Sequence, residues 1–184
     1  MNQKLIRKKK PLDNSLQLLI SSQKIHEQLE KVARVLEKHY NDEEITIVMV
    51  MKGSFILAAD LMRHLSLPVK LEYIQASSYG EKGTKKGELS ISSFDSIDLK
   101  GKHVLVIDDI FDTGETLSTI IKHIEKKGPK SLYSLVLLSK NVPHHTDYRP
   151  DRTLFDIEDH FVVGYGLDYK EYYRGLPDIY AIEI

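Results

Sequence analysis

Cysteine is absent from all 184 residues. Disulfides, thiolate nucleophiles and cysteine-based zinc sites are therefore excluded. An excess of either charge is missing too. Lys and Arg number 26 against 27 Asp and Glu, for a formal net charge of −1. That balance carries no global footprint for nucleic acid or an anionic membrane surface. No apolar run approaches a membrane span. The opening MNQKLIRKKKP is basic but lacks the apolar stretch of a secretory signal. Cytoplasm is the expected compartment. Several catalytic motifs are also missing. There is no G-x-x-x-x-G-K-[ST] loop, no H-E-x-x-H and no G-x-S-x-G. Gly164-Tyr165-Gly166 begins a G-x-G, but position 169 is Tyr, so a dinucleotide fingerprint fails.

What is present is the composition of an ordinary globular protein, 41% hydrophobic and 29% charged. Its length suits one domain with a small appendage. The apolar patch Leu16, Leu18, Leu19, Ile20 follows the basic arm and is expected to dock on the rest. Ser22 is the expected N-cap of a helix to about Tyr40, with Ile25, Leu29, Val32 and Leu36 on one face. Ile45 to Met51 reads as a buried strand. Lys52-Gly53-Ser54 then leads into a second helix, with Phe55, Ala58, Ala59 and Met62 on its apolar face. Strands are expected at Val69 to Ala76, Glu88 to Phe94, Leu132 to Ser139, Phe161 to Tyr165 and Ile179 to Ile184. The polar stretch from 77 to 90 is long for a connection, and such loops are often lids. The segment with Pro143, His144, His145 and Pro150 reads as a surface loop, because adjacent histidines share no face of a regular element. No internal repeat occurs. Strands alternating with helices predict an α/β fold with a parallel sheet.

The chain is organised around HVLVIDDIFDTGETL, His103 to Leu117. Val104 to Ile107 form an aliphatic run typical of a parallel strand buried on both faces. Asp108 and Asp109 follow at once. A short turn leads to Asp112, Thr113, Gly114, Glu115 and Thr116, and then Leu117, Ile120, Ile121 and Ile124 recur at helical spacing. A helix start leaves N–H groups without partners and carries the positive end of the macrodipole. Gly114 allows close backbone approach, and the two Thr hydroxyls add donors. This loop can hold a phosphate without a lysine. The acidic pair lies at the carboxyl end of its strand, where open α/β sheets bind ligands. Carboxylates accept from sugar hydroxyls and bind Mg²⁺. A sugar phosphate with a metal satisfies both halves. A receiver-type signalling domain also binds Mg²⁺ and a phosphoryl group beside an Asp pair. It requires the pair and the third Asp on different strands, whereas here they fall within five residues.

The DD-x-x-DTG-x-T stretch resembles the phosphoribosyl-pyrophosphate (PRPP) signature of type I phosphoribosyltransferases, most closely the branch acting on 6-oxopurines. The resemblance runs from about Ile45. It implies a parallel-sheet core of the type I phosphoribosyltransferase kind with a small hood. The chain would be a single domain, 1–184, with the core over about 21–140 and the hood from about 1–20 and 141–184. It implies transfer of the phosphoribosyl group of PRPP to hypoxanthine or guanine, with Mg²⁺ as cofactor and pyrophosphate released. Met51-Lys52-Gly53 resembles the pyrophosphate loop, which places a cis peptide before Lys52. Ser78-Tyr79 resembles the pair that opens a catalytic lid over residues 78–90. By the same carry-over Asp112 is the general base near purine N7, and Asp108 and Asp109 hold the ribose hydroxyls and the metal. Residues 112–116 hold the 5′-phosphate and Lys140 binds the 6-oxo group. Phe161 stacks on the base, the Val162 backbone reads its edge, Asp168 lies near Mg²⁺ or the base, and Arg174 binds pyrophosphate. Without the family, Phe161 reads as core and Arg174 as a surface residue. Two departures stand out. His160 occupies a position where some relatives carry Lys, and Glu115 puts an acid in the phosphate loop, with its side chain expected to point outward. The resemblance also implies a homodimer or homotetramer, with no nucleic-acid or membrane partner. Alternatives are a PRPP-binding regulator without catalysis and a xanthine- or adenine-preferring relative.

Overall fold

A computed structural model describes residues 16–78 and 89–183. In chain order the elements are β1 (Leu16–Ile20), α1 (Ser22–Tyr40), β2 (Ile45–Met51), α2 (Phe55–His64), β3 (Val69–Ser78), β4 (Leu89–Ser92), β5 (His103–Phe111), α3 (Glu115–Glu125), β6 (Ser131–Lys140), β7 (Arg152–Ile157), β8 (Val162–Val163) and β9 (Ile179–Ile182). A six-stranded sheet has the order β4-β3-β2-β5-β6-β7, and a three-stranded sheet the order β1-β9-β8. In the large sheet only the β3–β4 pairing is antiparallel. The small sheet is antiparallel throughout. No described helix is long and apolar enough to cross a membrane.

The aliphatic runs of β2 and β5 follow from burial on both faces of a parallel sheet. Leu105 and Ile107 join a cluster with Leu29 and Leu36 of α1 and Leu57 and Leu61 of α2. Val104 and Val106 join a second cluster with Leu117, Ile120 and Ile124 of α3. β5 is thus packed by helices on both sides. The first cluster also takes in Ile20, Val162, Tyr165, Leu167 and Ile179, so the small sheet shares the core of the large one.

Several local expectations change. Ser21, not Ser22, caps α1, its hydroxyl accepting from the Lys24 N–H. The Ser22 N–H is instead taken by Asp178 at 2.7 Å. In α2 the buried stripe is Leu57, Ala58 and Leu61, and Phe55 stays 40% exposed. The expected strand from Phe161 to Tyr165 is cut to Val162–Val163, because Gly164, Tyr165 and Gly166 all have positive φ and turn the chain. β7 was not anticipated. It is an edge strand in which no residue is fully buried, so its sequence, RTLFDI, lacks the aliphatic run of its neighbours. It also carries the six-stranded sheet to Ile157, past the boundary near residue 140 expected for the core.

Candidate active site

The carboxyl ends of β2, β5 and β6 point to one edge of the large sheet, and the 159–174 segment returns beside it. At the end of β2 the Met51–Lys52 peptide is cis. Gly53 has no room for a side chain, since a Cβ there would overlap the Asp109 carboxylate. Gly166 (φ +103°) is excluded from bearing a Cβ by the Gly53 carbonyl. The strand ends carrying Lys52 and Asp109 are therefore in contact with each other and with the 164–167 turn.

At the end of β5, Asp108 is 5% exposed. Burial pushes its carboxyl well above the usual range, and the neighbouring Asp109 adds to this. Burial raises Asp109 as well, with hydrogen bonds from Asp108 and the backbone and the charge of Arg174 working against it. Asp112 projects further out and is half-exposed. Gly114 (φ +85°) starts α3, pressed by the Phe111 ring and the Thr146 methyl. The Thr113 carbonyl accepts from the His145 N–H at 2.8 Å. Thr113 and Thr116 are half-buried. Glu115 is 67% exposed and turned outward, 3.2 Å from His145 Nδ1. The first N–H groups of α3 are thus presented on a braced loop, a ready anion site.

Lys140 closes β6 with its side chain 12% exposed, 2.9 Å from Asp159 and 3.5 Å from Asp112. Burial pulls its pKa down, but the two carboxylates outweigh this and raise it above the usual lysine range. The hydrogen bond from Lys140 in turn holds Asp159 below the usual carboxylate range. Phe161 is 43% exposed, its ring edge-on to Tyr169 at 5.6 Å. Val162 is buried in β8. Arg174 donates to the Gly166 carbonyl at 2.8 Å and pairs with Asp168 at 2.7 Å. The second Asp168 oxygen accepts from the Glu171 N–H at 2.8 Å. His160 is exposed, its N–H donating to the Glu158 carbonyl. Ser78 ends β3, its backbone paired with Leu89. Tyr79 and the lid residues up to 88 lie outside the described residues.

Two polar residues here escape a reading of the sequence, Asp159 on Lys140 and Glu171 on Lys52. The only hint was the charge pattern of DYKEYYR, which places Asp168, Glu171 and Arg174 three residues apart. Among the described residues no three His, Asp or Glu converge on a metal cage. The Asp108–Asp109 pair suits a different arrangement. Mg²⁺ keeps waters and is held by one or two carboxylates together with substrate oxygens. Asp168 already uses both its oxygens on Arg174 and Glu171.

Comparison with known proteins places this geometry. The phosphoribosyl transferase domain family matches residues 21–170. The hypoxanthine-guanine phosphoribosyltransferase of Aquifex aeolicus is 39% identical over 91% of this chain and 95% of its own. That of Bacillus subtilis is 34% identical over 88% and 90%. A crystal structure of a Bacillus anthracis hypoxanthine-guanine phosphoribosyltransferase superposes with a TM-score of 0.84 at 36% identity, covering 91% of this chain and 98% of that one. A Trypanosoma cruzi hypoxanthine phosphoribosyl transferase, studied for the effect of its C-terminal region on oligomeric state and activity, superposes with a TM-score of 0.84. It is 33% identical over 91% of each chain.

Proposed function

Because the chain belongs to the phosphoribosyl transferase domain family, we propose that it is a purine salvage enzyme, a pentosyltransferase that moves the phosphoribosyl group of PRPP to hypoxanthine or guanine. The products are the nucleoside monophosphate and pyrophosphate. One observation carries this reading: the buried Asp108 and half-buried Asp109 at the end of β5 adjoin the uncapped start of α3, with the half-buried Lys140 one strand away.

In this reading the N–H groups of residues 112–116 and the Thr113 and Thr116 hydroxyls hold the 5′-phosphate. Asp108 and Asp109 accept from the ribose hydroxyls and would hold Mg²⁺, which neutralises charge on the diphosphate when bound. Lys52, the Gly53 backbone and Arg174 take the departing pyrophosphate, a task suited to the fixed donors of a guanidinium. Ser78 and Tyr79 keep the lid-opening role that the resemblance implies. Cleaving the anomeric C–O bond generates a cationic sugar, and a lid keeps water from trapping it. The new bond joins the anomeric carbon to the purine nitrogen. Asp112 accepts the proton the purine sheds near N7. Phe161 stacks on the base and the Val162 backbone meets its edge. Lys140 has three donors and no acceptor, so it suits a 6-oxo group and opposes a 6-amino group. Asp168 acts through Arg174 and comes close to the base or metal. We further propose self-association as a homodimer or homotetramer. The exposed apolar side chains of Phe55, Leu71 and Tyr73 support it.

The test is pyrophosphate release with PRPP, Mg²⁺ and each of hypoxanthine, guanine, xanthine and adenine, in wild type and Asp112→Asn. Hypoxanthine or guanine should turn over and adenine should be very poor. Losing a positioned base lowers kcat by roughly 10²–10⁴, with PRPP binding kept. Binding of PRPP without turnover of any purine would make the protein a regulator instead.

A further inference from the structure

Glu171 is outside the set of residues that the resemblance assigns, yet it sits among them. Its Oε2 accepts from Lys52 Nζ at 3.0 Å and lies 3.5 Å from Arg174 Nη2. A single oxygen thus faces both of the cations assigned above to pyrophosphate. The surrounding turn has bonds of its own. The Glu171 N–H donates to Asp168, and Asp168 holds Arg174 with its other oxygen. Tyr169 and Tyr172 exchange backbone hydrogen bonds of 3.2 and 3.0 Å across the turn. Lys170 and Glu171 have φ of +51° and +67°. Non-glycine residues are uncommon in that region, and a run of two is maintained only where the surroundings over-determine it. The backbone of the turn is held in this way, and from it the Glu171 side chain, 66% exposed, reaches Lys52.

We propose that Glu171 is a built-in competitor for the pyrophosphate subsite, an internal carboxylate that holds Lys52 and Arg174 when no diphosphate is bound and must release both when one arrives. This rests on the reading of Lys52 and Arg174 as pyrophosphate ligands. A ligand shifts an equilibrium only by its differential affinity for the two states. The energy of the internal pairs is subtracted from the affinity for pyrophosphate. The product leaves faster as a result, and the two cations stay ordered between turnovers.

The experiment measures inhibition by inorganic pyrophosphate with Mg²⁺, competing with PRPP, and separately the binding of the nucleoside monophosphate product. It compares wild type with Glu171→Gln and Glu171→Ala. Two partly exposed pairs of this kind correspond to a roughly three- to tenfold change in affinity. Both variants should bind pyrophosphate tighter by that factor, with nucleotide affinity unchanged and kcat lowered wherever pyrophosphate release limits turnover. Unchanged or weaker pyrophosphate binding in an active enzyme overturns the competitor role and leaves the proposed activity standing. Equal shifts for pyrophosphate and nucleotide also overturn it, since they mark a merely structural residue. A wild type that neither turns over PRPP nor binds pyrophosphate removes the subsite assignment, and the competitor with it.

Discussion

Asp108 illustrates how this site works against the stability of its own fold. Its carboxyl is pushed above the ordinary range, first by burial and then by Asp109. A raised folded-state pKa means that the native protein binds this proton more tightly than the unfolded chain does. The contribution to stability is full below the unfolded value of about 3.9 and is lost as pH rises through the folded value. Asp108→Asn should therefore raise the melting temperature near pH 8, without metal or substrate, by roughly 2–4 °C for each kcal/mol relieved. The gain should vanish near pH 4, and turnover should be abolished. Calorimetric scans at pH 4, 6 and 8 check this, and a lower melting temperature at pH 8 would count against an uncompensated buried charge. Legibility at this scale follows distance along the chain. The acidic pair is readable because an aliphatic strand precedes it and a helix follows within a few residues. Asp159 and Glu171 are not, since their lysine partners are 19 and 119 residues away.

Helix α1 depends on a partner from the far end of the chain. Asp178 accepts from the Ser22 N–H at 2.7 Å and from the Tyr180 hydroxyl at 3.0 Å, joining the helix start to the small sheet. Its carboxyl is held below the usual range, first by that backbone hydrogen bond. The sign is opposite to that of Asp108. The stabilisation is present above the unfolded pKa and is lost as pH falls through the folded one. Asp178→Asn should lower the melting temperature at pH 7 by the equivalent of about 0.5 kcal/mol, the low end for a cap given its exposure to solvent. The difference should close below about pH 4, and a gap that persists there would show that shape rather than charge matters. The helices and the central strands were legible because burial imposes a period. β7 and the shortened β8 were not. An edge strand has weak pressure for apolar residues, and the Gly164–Gly166 turn depends on φ values that no hydrophobic pattern encodes.

For the whole molecule, the parallel order of the large sheet was readable from the alternation of strands and helices. The pairing of Leu16–Ile20 with β9 was not, because nothing local links the two ends of the chain. Leu71 and Tyr73 project from one face of β3, 43% and 53% exposed. If this face joins two copies, Tyr73→Glu should shift the mass measured by light scattering towards the monomer while leaving the circular dichroism unchanged. An unchanged mass would move the contact elsewhere. The stacking of Gly166 on Gly53, and of Gly53 on Asp109, has a further consequence. Neither glycine has slack, so a shift of the Lys52–Gly53 loop must be followed by the 164–167 turn. Asp168 follows that turn directly, and Arg174 is bonded to its Gly166 carbonyl. With the subsites proposed above, occupancy at the diphosphate end of the cleft would reach the base end by hard contact, as push rods transmit motion. Ordered addition and release of substrates would follow from steric coupling alone.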